Sequence, residues 1–293
     1  MGAVSLPFLF VYFLLVYFLF FCCSGFLGHC PMLTSLQNPL VKQIRKLQRA
    51  KERRQQQLFL LEGSHLIEEA CAVGMPLAVL CCTIDWQAQY PRLYDAAASL
   101  SDRVELVSAE VLKSMATTVE PDGVLAIAPL QHQQPINIAE FGLVLETIQD
   151  PGNLGTMIRT AAAAGVEGLL LSENCVDLDN PKVLRASAGQ WFKLPMAIVP
   201  NLVQELQGYR DRGVQIIATL PTATQTLWEI DFQQPSLIVM GNEGAGLSPE
   251  IAAIANVQVQ IPLAPGVESL NVGIAAAIML YEARRQRSAV GFG

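Results

Sequence analysis

The sequence predicts an α/β protein: a small α/β domain followed by a C-terminal domain built on a parallel sheet. Three observations lead there. From Phe141 onward, short apolar runs alternate with helix-length segments, the pattern of a parallel sheet covered on both faces. Residues 131–138 (QHQQPINI) are polar and contain Pro, which reads as a linker. Three Gly-punctuated segments stand at strand-to-helix turns, where sheets of this kind bind ligands at their carboxyl ends.

Taken in order, residues 32–130 form the first domain. Residues 57–62 are a short apolar strand, and Gly63-Ser64 opens a helix over 65–73 that Gly74 stops, the usual place for a C-terminal glycine. Strands follow at 77–84 and 104–107; Ser108 caps a helix over 109–116, and 124–128 closes the unit as another strand. After the linker, the domain over 139–287 carries strands at 142–146, 168–172, 196–199, 214–219, 236–240 and 257–261. Its helices are expected at 154–164, 181–188, 202–212, 249–254 and 272–285, with a tail over 288–293.

Composition narrows the class. A chain of 293 residues has room for two modest domains, and 52% hydrophobic against 15% charged residues argues against disorder. Part of that hydrophobicity lies in residues 6–27, which carry no charge and are long enough to cross a bilayer. No Lys or Arg precedes them, so the basic start of a secretory signal is missing. A span there would keep the rest cytoplasmic, because the basic run comes after it. The alternative is that residues 1–31 are an upstream extension and that translation starts at Met32. Cys71, Cys81, Cys82 and Cys175 show no C-x-x-C spacing and read as reduced, buried thiols of a cytoplasmic protein. The scattered His29, His65 and His132 suggest no metal.

The net charge of −7 disfavours nonspecific nucleic-acid binding, but distribution matters more than the sum. Residues 42–54 (KQIRKLQRAKERR) hold a single acid, Glu52. Ile44, Leu47 and Ala50 give that run an apolar stripe at helical spacing. Lys42, Arg45, Lys46, Arg49, Arg53 and Arg54 then form a cationic face suited to an RNA backbone. A merely solvated helix face is the plainer alternative.

The three turns carry the chemistry. In the first, Asp150-Pro151-Gly152 makes the turn and Asn153 sits at the expected helix cap. Arg159 follows on the same helix, between Ile158 and a run of alanines, either exposed or aimed at RNA phosphate or ribose. In the second, Gly241-Asn242-Glu243-Gly244-Ala245-Gly246 leads to Ser248, a helix cap with Pro249 behind it. The Glu243 carboxylate would repel a phosphate and suits a cationic or hydroxyl-bearing ligand. In the third, a loop after Ile261 leads through Ser269-Leu270-Asn271 into an Ala-rich helix, which either Ser269 or Asn271 caps.

N-x-G-x-x-x-R at Asn153, Gly155 and Arg159, with GNEGAGLSPE and IPLAPGVESLNVG, resembles the three signature motifs of the SpoU/TrmH branch of the SPOUT RNA methyltransferases. The start MLTSLQNPLVKQIRKLQ at Met32 is similar to the usual start of such proteins. The resemblance implies a trefoil knot, a homodimer, and methyl transfer from S-adenosylmethionine to a ribose 2′-hydroxyl of RNA, without a metal. It implies catalytic roles for Asn153, Arg159, Glu243, Ser269 and Asn271. Cofactor contacts would come from Thr219, Leu220, Gly241, Asn242, Ile261 and Leu270. The family's proposed base is the Arg, yet a guanidinium is a poor base, and positioning or charge stabilisation is the easier role for Arg159. Pro265 stands where many relatives have Gly, and Gly273 where Ser is common. FLLEGSHLIEEA and EPDGVLAI resemble the substrate-binding domain of SpoU proteins, which favours ribosomal over transfer RNA. A transfer RNA 2′-O-methyltransferase and a non-catalytic RNA-binding protein of the same fold are the alternatives.

Overall fold

The structure, a computed structural model, describes residues 32–130 and 136–288. The apolar segment 6–27 and linker residues 131–135 lie outside them. Among the described residues, no helix is long and apolar enough to cross a membrane.

The first domain holds α1 (Pro39–Lys46), α2 (Ala50–Gln56), β1 (Leu58–Glu62), α3 (Ser64–Ala72), β2 (Val79–Cys82), α4 (Ile84–Gln89), α5 (Pro91–Ser99), β3 (Val104–Leu106), α6 (Ala109–Met115) and β4 (Val124–Pro129). Its sheet runs β1-β4-β2-β3, antiparallel except between β2 and β3. Alternation along β2 sends Cys81 to the α1/α6 side and Cys82 to the α3 side. Burial pushes the Cys81 thiol up to about 12 and the Cys82 thiol to about 11, so both stay protonated and unreactive. The strand expected at 77–84 is shorter because the Thr83 hydroxyl accepts the Trp86 amide at 3.2 Å and starts α4. Pro91 starts α5.

The basic run is two helices rather than one. Ile44 and Leu47 enter the core as their spacing predicts, but the chain turns after Leu47. Arg53 explains the break. Its guanidinium donates to the Leu47 and Gln48 carbonyls at 3.3 and 3.2 Å, taking up backbone acceptors that a continuous helix would have satisfied.

The second domain holds β5 (Phe141–Leu145), α7 (Pro151–Ala164), β6 (Gly168–Ser172), α8 (Pro181–Ala186), β7 (Met196–Val199), α9 (Leu202–Asp211), β8 (Gln215–Thr219), β9 (Gln225–Thr226), β10 (Ser236–Met240), α10 (Pro249–Ile254), β11 (Val257–Gln260) and α11 (Val272–Ser288). The strands form one parallel sheet in the order β7-β6-β5-β10-β8-β11-β9. One apolar layer packs the sheet on α7 and α11, the other on α9 and α10. The alanines of α7 and α11 serve this packing: Ala161, Ala164, Ala276 and Ala283 are all buried there.

Among the described residues, ionic contacts join the domains at three places. One is Lys193 to Glu69 on α3 at 2.7 Å, and the other two flank and include α8. Arg53, 1% exposed, donates to Asp177 Oδ2 at 2.9 Å and to Asp179 Oδ2 at 2.7 Å, just ahead of α8. Arg185 on α8 reaches back to Glu62 at 3.0 Å and to the Thr117 hydroxyl at 2.8 Å. Arg53 is therefore no RNA contact: its charge is internal and its donors are occupied. Removing one partner of a buried ion pair strands the other. Arg53→Ala should lower unfolding free energy by about 3–5 kcal/mol in urea titrations. Arg54→Ala, whose exposed side chain also reaches Asp177, should cost no more than about 1 kcal/mol; equal losses would deny Arg53 its special place.

Candidate active site

The sheet order brings the three turns to one edge. Strands β5, β10, β8 and β11 are consecutive neighbours, so the segments leaving their carboxyl ends lie side by side. Gly241 follows β10, Thr219 ends β8 with Leu220 next, and Ile261 follows β11.

Glu243 ties the first two turns together. Its carboxylate accepts from the Asp150 amide at 3.0 Å, the Gln149 amide at 3.2 Å and Asn153 Nδ2 at 3.2 Å. It is thus fastened rather than free, as the sequence alone had suggested. Partial burial pushes the carboxyl up, but these donors outweigh it and hold the group below the ordinary glutamate value of 4.5. Asn242 also departs from expectation. Its side chain donates to the Thr147 carbonyl at 2.8 Å and accepts the Gly244 and Ala245 amides, each at 2.9 Å. Asn242 shapes the loop and has little left for a cofactor. Gly241 is needed for sterics: a Cβ there would come within 2.4 Å of Gly246 O and Leu247 N. Glu146, which sequence reasoning passed over, accepts the Ser248 amide at 2.8 Å and fixes the far end of the same loop.

Helix α7 begins three residues earlier than its spacing predicts. Asp150 is the cap: its Oδ1 accepts the Asn153 amide at 2.8 Å, with Pro151 at the first helical position. This frees the Asn153 side chain from capping. Instead Asn153 Oδ1 accepts from Asn271 Nδ2 at 2.9 Å. Asn271 Oδ1 in turn accepts the Gly273 amide at 2.9 Å and so caps α11. The orientation of every amide follows from this end: Gly273 fixes Asn271, Asn271 fixes Asn153, and Asn153 presents Nδ2 to Glu243. Each asparagine keeps one N–H uncommitted.

Arg159 is exposed and makes no hydrogen bond or ion pair among the described residues. Ser269 and Leu270 are exposed on the approach to Asn271. Gly155, the middle residue of the first motif, has a packing reason: a Cβ would meet Ala186 Cβ at 2.4 Å and Val183 O at 2.7 Å. Helix α7 thereby touches α8, the helix anchored to the first domain. Lys42, Arg45, Lys46, Arg49 and Arg54 are exposed on α1, α2 and the turn between them.

The Glu243 network has a definite pH sign. A carboxyl held below its unfolded value stabilises fully above that value and loses the contribution as pH falls through the folded one. Glu243→Gln should cost about 1 kcal/mol at pH 7, from weakened acceptance of the two amides. The difference from wild type should shrink as pH drops below 4.5. Urea midpoints across that range check this; a constant difference would show that the carboxylate charge is not what holds the loop.

Comparison with known proteins agrees with this geometry. Residues 140–281 match the SpoU rRNA Methylase family, and residues 38–126 match an MRM3-like substrate binding domain. A Synechocystis protein named as an uncharacterized tRNA/rRNA methyltransferase is 52% identical over 257 residues, 87% of this chain and 94% of its own. The 23S rRNA (guanosine(2553)-2′-O)-methyltransferase RlmP of Bacillus subtilis is 32% identical over 253 residues, 85% of this chain and 98% of its own. The crystal structure of an AdoMet-bound rRNA methyltransferase from Sinorhizobium meliloti has a TM-score of 0.78 at 34% identity, covering 87% of this chain and 97% of that one. Both domains are matched and the relatives align over nearly their full lengths, so the chain belongs to the SpoU rRNA methylase family.

Proposed function

We propose that this protein transfers the methyl group of S-adenosylmethionine to a ribose 2′-hydroxyl of ribosomal RNA. The observation that carries the reading is the hydrogen-bonded chain Asn271–Asn153–Glu243 beside three strand ends. RlmP acts, by its name, on a ribose of 23S rRNA, and the Sinorhizobium structure holds AdoMet.

The residues present fit that cofactor. The Thr219 hydroxyl is buried with no hydrogen-bond partner among the described residues, at the end of the central strand of the three. Thr219, Leu220, Gly241, Ile261 and Leu270 would hold the cofactor. The carboxylates of Asp150 and Glu243 favour a cationic ligand. Bound there, S-adenosylmethionine supplies a methyl carbon already activated by its sulfonium.

The chain itself has to position a hydroxyl. The uncommitted N–H groups of Asn153 and Asn271 can each donate to a ribose oxygen, and Ser269 adds a hydroxyl on the open side. Arg159, without a partner, takes a backbone phosphate rather than acting as base. Holding the oxygen in line with the methyl carbon is worth roughly 7–11 kcal/mol. The exposed basic residues of α1 and α2 track the RNA strand, and the family's trefoil knot is expected in the C-terminal part of the parallel-sheet domain.

The working form is a homodimer in the cytoplasm. Ile274, Ile278 and Tyr281 recur at helical spacing on the outer face of α11, 52%, 36% and 52% exposed, and a second copy covers them. Ile278→Asp should shift the protein to monomer in sedimentation; an unchanged dimer would move the interface elsewhere. Mapping 2′-O-methylation in ribosomal and transfer RNA with and without the gene should show one lost ribosomal site. A loss in transfer RNA would redirect the substrate, and an unchanged map would overturn the reading. Arg159→Ala should reduce transfer at least a hundredfold while calorimetry finds S-adenosylmethionine binding unchanged; full activity would remove Arg159 from the site.

A further inference from the structure

One cation beside the site remains without a role. Lys182 stands at the second position of α8, where its amide donates to the capping Asn180 side chain at 2.9 Å. Its own side chain is 58% exposed. The side chain runs along the start of α7: a Cβ on Gly152 would lie 3.6 Å from Lys182 Cε and 3.8 Å from Nζ. Its ammonium sits 3.6 Å from Asp150 Oδ2, an ion pair longer than a hydrogen bond.

The backbone beneath it is rigid. Arg53 clamps Asp179 just before α8, Arg185 clamps Glu62 from within it, and Ala186 meets α7 at Gly155. A lysine on this support has a fixed origin and a loosely held charge. Releasing it leaves the helix cap intact, because the Asn153 amide is held by the other Asp150 oxygen, Oδ1.

Gly152, Thr156 and Arg159 fall on one face of α7, spaced four and then three residues apart. Lys182 lies at the Gly152 end of that face, and Arg159 is two turns further on, about 10 Å along the axis. The side chains of Asn153 and Asn271 lie near the start of the same helix. A strand whose ribose reached these amides would pass two carboxylates, Asp150 and Glu243. Both are exposed, but Glu243 is held by the Gln149 and Asp150 amides and the Asn153 side chain, and Asp150 by the Asn153 amide, so Asp150 is the less compensated charge, and Lys182 is the cation placed to offset it.

We propose that Lys182 is a second phosphate contact for the substrate RNA, exchanging Asp150 for the backbone next to the target ribose. Arg159 and Lys182 then hold the strand at two points along α7. The proposal rests on the reading of the protein as an RNA 2′-O-methyltransferase.

The test uses the full chain, in vitro transcribed unmodified 23S ribosomal RNA, and a radiolabelled methyl donor. Lys182→Ala should raise KM for RNA about tenfold, with the Kd of S-adenosylmethionine and the Tm unchanged. The slope of log KM against log salt concentration should fall by about 0.7, the share of one phosphate on a single strand. Lys182→Arg should restore both. A Lys182→Ala protein with wild-type KM and salt slope overturns the proposal, as does a defect accounted for by lowered Tm. Wild-type protein that methylates neither this RNA nor 16S or transfer RNA transcripts overturns the underlying reading, and the proposal with it.

Discussion

The site depends on one carboxylate. Glu243 reaches from the loop after β10 to the backbone of the turn after β5, accepting the Gln149 and Asp150 amides. Without it, the loop after β10 and the start of α7 would be joined only by the Asn242 bond to Thr147 and the Glu146 bond to Ser248. Those bonds set the loop's shape; Glu243 also accepts the Asn153 side-chain amide that Asn271 orients, and so links the first two motifs to the third. A glutamine would offer one acceptor oxygen and present an N–H₂ to donors that already face it.

Mechanical support comes from farther away. Helix α8 is short, yet it is held at its approach by Arg53, along its length by Glu62, and at its end by contact with Gly155. The same Gly155 lies between Asn153 and Arg159 on α7. The first domain therefore bears on the helix that carries two proposed site residues. The RNA face proposed on α1 and α2 and the ribose site proposed at α7 share one continuous scaffold.

Much of this was legible in the sequence. The strands at 168–172 and 236–240 were read with correct bounds, because strands buried on both faces appear as unbroken apolar runs. The strand at 196–199 was also read with correct bounds, although it is a half-buried edge strand. Asn153, Glu243 and Asn271 were singled out together, and the structure brings them into one hydrogen-bonded chain. Other features were hidden for physical reasons. Both Asp150 and Asn153 are competent caps; only the Pro151 start separates them, and it places the cap three residues earlier. Arg53 looked like its basic neighbours because its partners lie more than a hundred residues away, at Asp177 and Asp179. Helices α4 and α5 had visible start signals in Thr83 and Pro91, but a long apolar strand reading of 77–84 obscured the first.

The seam between the domains has a polarity. The first domain sends a cation across, Arg53, into a pair of acids; the second sends one back, Arg185, to Glu62. Neither exchange is interchangeable with the other, since each buried charge finds its opposite on one side alone. A foreign first domain without counterparts of Arg53 and Glu62 would leave Asp177, Asp179 and Arg185 without these partners. Exchange of the first domain in this chain therefore has to carry the charges that match the β6–α8 connection, so that short connection records which first domain fits.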